Sequence, residues 1–144
     1  MKVVAVKKEI DAQREKVWQV LADFPNIFTW NSGVKKSHCS NGIEQGVGAE
    51  RLCVVSGGTL TELVQKWDVN NEIVIDVHTL TGFPVKNVLS FFKLSGDSKT
   101  TVEIEFQFYP KGIGFILSPL LKIAFKKSIK NIISDLEIAA KLIA

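Results

Sequence analysis

Side chains able to attack a carbonyl, relay a proton or hold a metal are scarce in this 144-residue chain. The histidines are His38 and His78, and the cysteines are Cys39 and Cys53. A nucleophilic or general-base site needs a histidine beside a nucleophile or an orienting acid. No GxSxG, HExxH or phosphate-loop signature provides that setting. His78 also shares strand parity with Asp76, the pattern of a wetted face, so both histidines read as solvated. The cysteines have no CxxC spacing and no Cys/His cluster, so no metal site is expected. Two reduced thiols are the reading that compartment logic favours, with a disulfide between them left open. Gly46-x-Gly48 lies between strands and opens no helix, which removes it as a dinucleotide fingerprint. No cofactor is expected.

One charged feature stands out. Lys122, Lys126 and Lys130 recur every four residues, with Lys127 beside them, among Leu120, Leu121, Ile123 and Phe125. This row reads either as a solvated helix face or as a basic amphipathic segment making transient contact with an anionic membrane. Over the whole chain, 18 basic side chains stand against 15 acidic ones. A formal charge of +3 is too balanced to indicate a nucleic-acid partner.

These side chains must be positioned by a fold that the hydrophobic pattern describes. The length suits one domain over residues 1–144, able to bury roughly two-thirds of its unfolded surface. The N-terminus lacks a signal-peptide core, and no apolar run approaches the roughly 18 residues of a membrane span, so a cytoplasmic location is expected. Residues 2–10 read as a strand. A helix follows to about Asp23, with Asp11 as the expected N-cap and Val17, Leu21 and Phe24 on one face. Pro25 ends or redirects it, and a short helix or turn through Ile27, Phe28 and Trp30 follows.

The pattern then changes to short strands between turn signals, at 34–40, 48–55, 60–69, 72–80, 87–95 and 100–109. Asn70-Asn71 suits a tight hairpin, Gly82 to Pro84 marks another break, and gaps this short favour antiparallel neighbours. In the last strand Val102, Ile104, Phe106 and Phe108 oppose Glu103, Glu105, Gln107 and Tyr109, giving one dry face and one wet face. Strand 60–67 is ambiguous, because both of its parities mix polar and apolar residues. Beyond Pro110 a helical period runs from about residue 116 to 143, with Pro119 in its first turn. Such a helix is about 40 Å long. Only it can cover the dry face of the sheet, and a curved sheet gripping it leaves a gap. Val77, Val88, Phe92, Ile104, Phe106 and Phe108 should face that interior, met by Leu121 and Phe125 from the helix, some as core and some as pocket wall in a division the pattern does not make.

The order of elements, with the residues that punctuate it, resembles the START-like (helix-grip) superfamily. It is most similar to the branch of polyketide cyclases/dehydrases and lipid transport proteins. The matching pieces are Val17-Trp18, Leu21-Ala22-Asp23-Phe24 through Trp30, Gly46-x-Gly48-x-x-Arg51, Thr61-Glu62, Pro84, and the Pro110-x-Gly112 turn before the last helix. Val55-Ser56-Gly57 with Thr61-Glu62-Leu63 is also similar to the plant abscisic-acid receptors, although their Leu-Pro gate is missing here. The resemblance implies an α+β helix-grip fold. Its curved antiparallel sheet has about seven strands around a long C-terminal helix, with one or two short helices between the first two strands.

The same resemblance implies a pocket for a small hydrophobic ligand such as a lipid or polyketide. It places Arg51 and Glu62 near that pocket as an inward-facing pair orienting the ligand's polar end, or else as a solvated cross-strand pair. It also puts Lys36 near a ligand-pairing lysine, against the plainer reading of a surface lysine; Trp30 reads as core packing or, because it follows a loop, as a residue of the pocket mouth. Three functions stay open. One is non-catalytic binding or carriage. Another is a cyclase, aromatase or dehydratase in which Arg51 polarises a carbonyl and Glu62 moves a proton. The third is a ligand-dependent regulatory module.

Overall fold

The computed structural model describes residues 1–80 and 83–144, with 79 and 80 described as backbone alone. The elements are β1 (Lys2–Ile10), α1 (Arg14–Ala22), a short 3-10 segment (Phe24–Thr29), β2 (Val34–Cys39), β3 (Glu50–Val55), β4 (Gly58–Asp68), β5 (Glu72–Leu80), β6 (Val85–Gly96), β7 (Thr100–Pro110) and α2 (Gly114–Lys141). They form a 7-stranded antiparallel sheet in the order β1-β7-β6-β5-β4-β3-β2. β1 and β2 follow one another in sequence yet lie at opposite edges, so α1 and the 3-10 segment carry the chain from one edge to the other. This is the helix-grip arrangement that the sequence resemblance implied. The Gly82 break between β5 and β6 lies outside the described residues.

Alternation builds the dry face. Val102, Ile104 and Phe108 of β7 are fully buried, as are Ile10 of β1 and Ile73 of β5. α2 lies over β1, β7 and α1, burying Ile129, Ile133, Leu136 and Ala140 against this layer. Each large aliphatic chain so buried contributes about 2 kcal/mol. Polar ties fix the helix along its length. The Asp11 N–H donates to Glu137 Oε2 at 2.7 Å, and the Ser32 N–H and hydroxyl both donate to Asp135 Oδ2, at 2.9 and 2.7 Å.

Turn chemistry follows the sequence at the β4–β5 hairpin, where Asn70 takes a positive φ of 66°. Three expectations need correction. Asp11 does not cap α1: the helix starts at Arg14, with Gln13 in the cap position, and the Asp11 backbone serves α2 instead. α2 begins at Gly114, two residues earlier than the periodicity predicts, because its first turn abuts the β5–β6 connection. The Lys111 N–H donates to the Pro84 carbonyl at 2.9 Å, and any Cβ on residue 114 would overlap that same oxygen. Pro119 therefore sits inside the helix rather than in its first turn. The Phe115 carbonyl, four residues back, loses its helical donor there on the side of the helix open to water.

Candidate functional site

Arg51 and Glu62 occupy directly opposed positions on β3 and β4. Both point to the dry face of the sheet, with Arg51 Nε donating to Glu62 Oε1 at 3.0 Å. Arg51 Nη1 donates to the Phe24 carbonyl at 2.9 Å, and the guanidinium lies 3.8 Å from the centroid of the Phe24 ring. Cys53, two residues along β3, donates its thiol to the same Glu62 oxygen at 3.2 Å. The pair is therefore not a solvated one. Arg51 is only 3% exposed, and a cation so deep survives because a carboxylate, a carbonyl and an aromatic face replace its water. Burial first, and the Glu62 charge second, push the Cys53 thiol far above its ordinary value. It stays a protonated donor to Glu62 at neutral pH.

The ion pair forms the polar corner of a cavity of about 300 Å³ between the sheet and α2. That is the lower end of the range for ligand pockets. Leu60, Val77, Val85, Val88 and Phe92 supply the sheet wall, and Phe106, Phe125 and Ile132 supply the side under the helix. Phe125 packs edge-on to Phe106 and Phe108, with centroids 5.7 and 4.9 Å apart, and so shapes the cavity's end. A more open groove, lined by Asn31, Ser32, Gly33, Lys127, Ser128 and Ile132 among others, shares Asn31, Gly33, Ser128 and Ile132 with the cavity lining. It marks a mouth between the loop after the 3-10 segment and α2, held by the Ser32–Asp135 hydrogen bonds.

The structure brings together Arg51, Glu62, Val77, Val88, Phe92, Phe106 and Phe125 of the residues chosen from sequence. It places five others elsewhere. Ile104 and Phe108 are fully buried core, Phe108 being covered by the Phe125 ring. Leu121 packs half-buried against that core. Trp30 lines a separate void of about 10 Å³ behind Arg51, with Leu21, Phe24 and Phe92. Lys36 is exposed on β2. A bulge between Val34 and Lys36 breaks the parity, so Val34 lines the cavity while Ser37, not Lys36, turns inward to the Pro25 carbonyl. His38 is exposed, and His78 Nε2 lies 3.5 Å from Glu50 Oε2, outside the cavity lining. Both cysteines are free thiols. Among the described residues no group of three His, Cys, Asp or Glu side chains could hold a metal ion. Among them, too, no helix is long and apolar enough to cross a membrane.

The family described as polyketide cyclase/dehydrase and lipid transport matches residues 1–139. The chain belongs to that family. A search of curated proteins found no match. Solved structures similar to this family member include an uncharacterized protein from Bacillus thuringiensis, at 19% identity and a TM-score of 0.80 over 96% of this chain and 98% of that one. The Zhui aromatase/cyclase from a Streptomyces species matches at 15% identity and a TM-score of 0.80, over 97% of this chain and 93% of that one. A START superfamily protein from Mycobacterium smegmatis matches at 16% identity and a TM-score of 0.74, over 96% and 97%. At these identities the likeness establishes the fold.

Within this family member, two kinds of cavity residue missed from sequence contrast most clearly. Ser90 lies between Val88 and Phe92 with the same strand parity, so alternation alone could have found it. Ile132 belongs to the helical period facing the sheet and was equally accessible. Asn31, Gly33 and Ser128 reach the cavity only because the loop after the 3-10 segment meets α2 about a hundred positions later, and no local pattern encodes that.

Proposed function

We propose that this protein binds and carries a small hydrophobic molecule, with its apolar body among Val77, Val88, Phe92, Phe106 and Phe125 and its polar end at Arg51 and Glu62. The observation that supports this reading is the cavity itself: a mostly apolar space of about 300 Å³ with one charged corner. Apolar burial, at about 25 cal/mol per Å², supplies affinity, and a buried ion pair supplies orientation. Native mass spectrometry of the protein as purified, followed by displacement of the fluorescent probe 1-anilinonaphthalene-8-sulfonate by fatty acids and aromatic polyketides, tests it. Displacement with a matching rise in melting temperature supports the reading. A protein that binds neither the probe nor any of these compounds would not be a carrier.

One observation favours a second reading, that of a cyclase- or dehydratase-type enzyme. Arg51 and Glu62 converge at the cavity wall, where Arg51 could polarise a carbonyl and Glu62 could move a proton. Against it, Glu62 Oε1 already accepts from both Arg51 and Cys53, which suits holding better than proton transfer. Turnover of a polyketide-like substrate that disappears in Glu62→Gln while binding persists would establish the enzyme. Binding without turnover in the unmodified protein would leave the carrier.

A further inference from the structure

The exposed side of α2 carries a second surface that the cavity does not explain. Ile113, Phe115, Ile116, Leu120 and Ile123 leave between 61% and 80% of their surfaces in water. Of residues 114–128, only Gly114 and Ser118 are buried. The spacing puts Ile116, Leu120 and Ile123 in one stripe on the back of the helix, opposite the face that carries Phe125 and Ile129 inward. Lys127 and Lys130 continue this stripe, and Lys122 and Lys126 lie along one flank of the helix, roughly a quarter to a third of the circumference from it. All four are exposed, and Lys127 also lines the groove at the mouth. Residues 106–134 contain these four lysines and Lys111, and not one Asp or Glu. An apolar patch bordered by uncompensated positive charge is the composition of an interfacial helix.

We propose that the back of α2 docks on an anionic lipid bilayer, with Ile116, Leu120 and Ile123 entering the headgroup boundary and Lys122, Lys126, Lys127 and Lys130 lying over the lipid phosphates. Charge selects this occupant over a second copy of the chain. A two-fold contact through the face would set two lysine clusters against each other, with no carboxylate between residues 106 and 134 to pair them. The groove shared with the cavity lining runs along Lys127 and Ser128, so a docked molecule would hold its mouth beside the membrane. Docking itself uses no side chain of the cavity lining, so it stands whether or not the cavity is filled.

Co-sedimentation with vesicles tests this, using phosphatidylcholine alone and phosphatidylcholine with about one third phosphatidylglycerol. The protein should partition onto the anionic vesicles and not the neutral ones. Binding should weaken between about 0.1 M and about 1 M salt, as the Debye length falls from about 10 Å to about 3 Å. Each lysine near such a surface is worth about fivefold, so the Lys122→Glu/Lys126→Glu/Lys130→Glu variant should lose at least about a hundredfold in partitioning. The Ile116→Ser/Leu120→Ser/Ile123→Ser variant should lose the part that resists salt, with little change in circular dichroism or melting temperature, since these side chains are mostly exposed. Equal binding to neutral vesicles, no binding to anionic ones, or full binding by either variant overturns the proposal. So does a dimer in sedimentation velocity that the serine variant dissolves, which would assign the face to a second copy.

Discussion

Arg51 on β3 and Glu62 on β4 are register partners that meet at 3.0 Å on the dry side of the sheet, with 4% and 12% of their side chains exposed. Desolvating two charges is offset only while both are present and their remaining groups are satisfied. Phe24 and Cys53 complete that set. Removing one charge strands the other. Glu62→Gln should therefore cost about 3 kcal/mol in urea unfolding. The Arg51→Met/Glu62→Gln double variant should cost clearly less than the sum of the two single changes. Additive losses would show that the pair is not coupled.

Filling the cavity separates ligand binding from folding. Val77 is buried in the cavity wall, and Val77→Phe directs an aromatic ring into empty space. Extra bulk in a packed core costs about 1–3 kcal/mol, but here the ring has room, so stability should change by less than about 1 kcal/mol. Probe affinity should drop at least about tenfold by fluorescence titration. Retained affinity would place the binding site outside this cavity.

The mouth is held by one aspartate. Asp135 Oδ2 accepts from both the backbone and the hydroxyl of Ser32, and the flanking Asn31 and Gly33 line the cavity. These bonds are solvent-accessible, so their net worth is about 1 kcal/mol. Asp135→Ala should accelerate release of bound probe several-fold in stopped-flow measurements and lower the melting temperature by a few degrees. An unchanged release rate would mean that exchange uses another route.

The cysteines should differ in reactivity. Cys53 is fully buried with its thiol held protonated, whereas Cys39 is partly exposed. Titration of the native protein with a disulfide reagent at pH 8 should modify one thiol, and denatured protein should give two. The pH dependence follows in sign. The folded thiol titrates above its ordinary value of about 9, so its contribution is complete below pH 9 and declines above it, where only the unfolded chain ionises. Between pH 9 and 11, unmodified protein should lose stability faster than Cys53→Ala, by up to roughly 1.4 kcal/mol per pH unit. Parallel curves would show that the thiol is not desolvated.

The sequence alone determined the antiparallel succession of neighbouring strands from β2 to β7, the hairpin at Asn70-Asn71 and the dry face of β7. These are encoded by alternation and turn chemistry acting over a few residues. It could not settle β4. There Val64 pairs with Ile75 and Lys66 with Val74, so the chain advances two residues against one. This bulge returns Trp67 to the inner side, against Trp18, with ring centroids 5.2 Å apart. A one-residue slip exchanges the faces of a strand, which is why Glu62 stayed ambiguous by pattern and why Lys36, beyond a similar bulge, points to water.

Only the tertiary structure decided which apolar residues form core and which form cavity wall. Val102, Ile104, Phe106 and Phe108 share one alternating face. Of these, only Phe106 lines the cavity. The difference lies in where α2 rests across the sheet, over β1 and β7 and away from β3 and β4. That placement comes from packing and from contacts such as Ser32–Asp135, between residues that no local pattern connects.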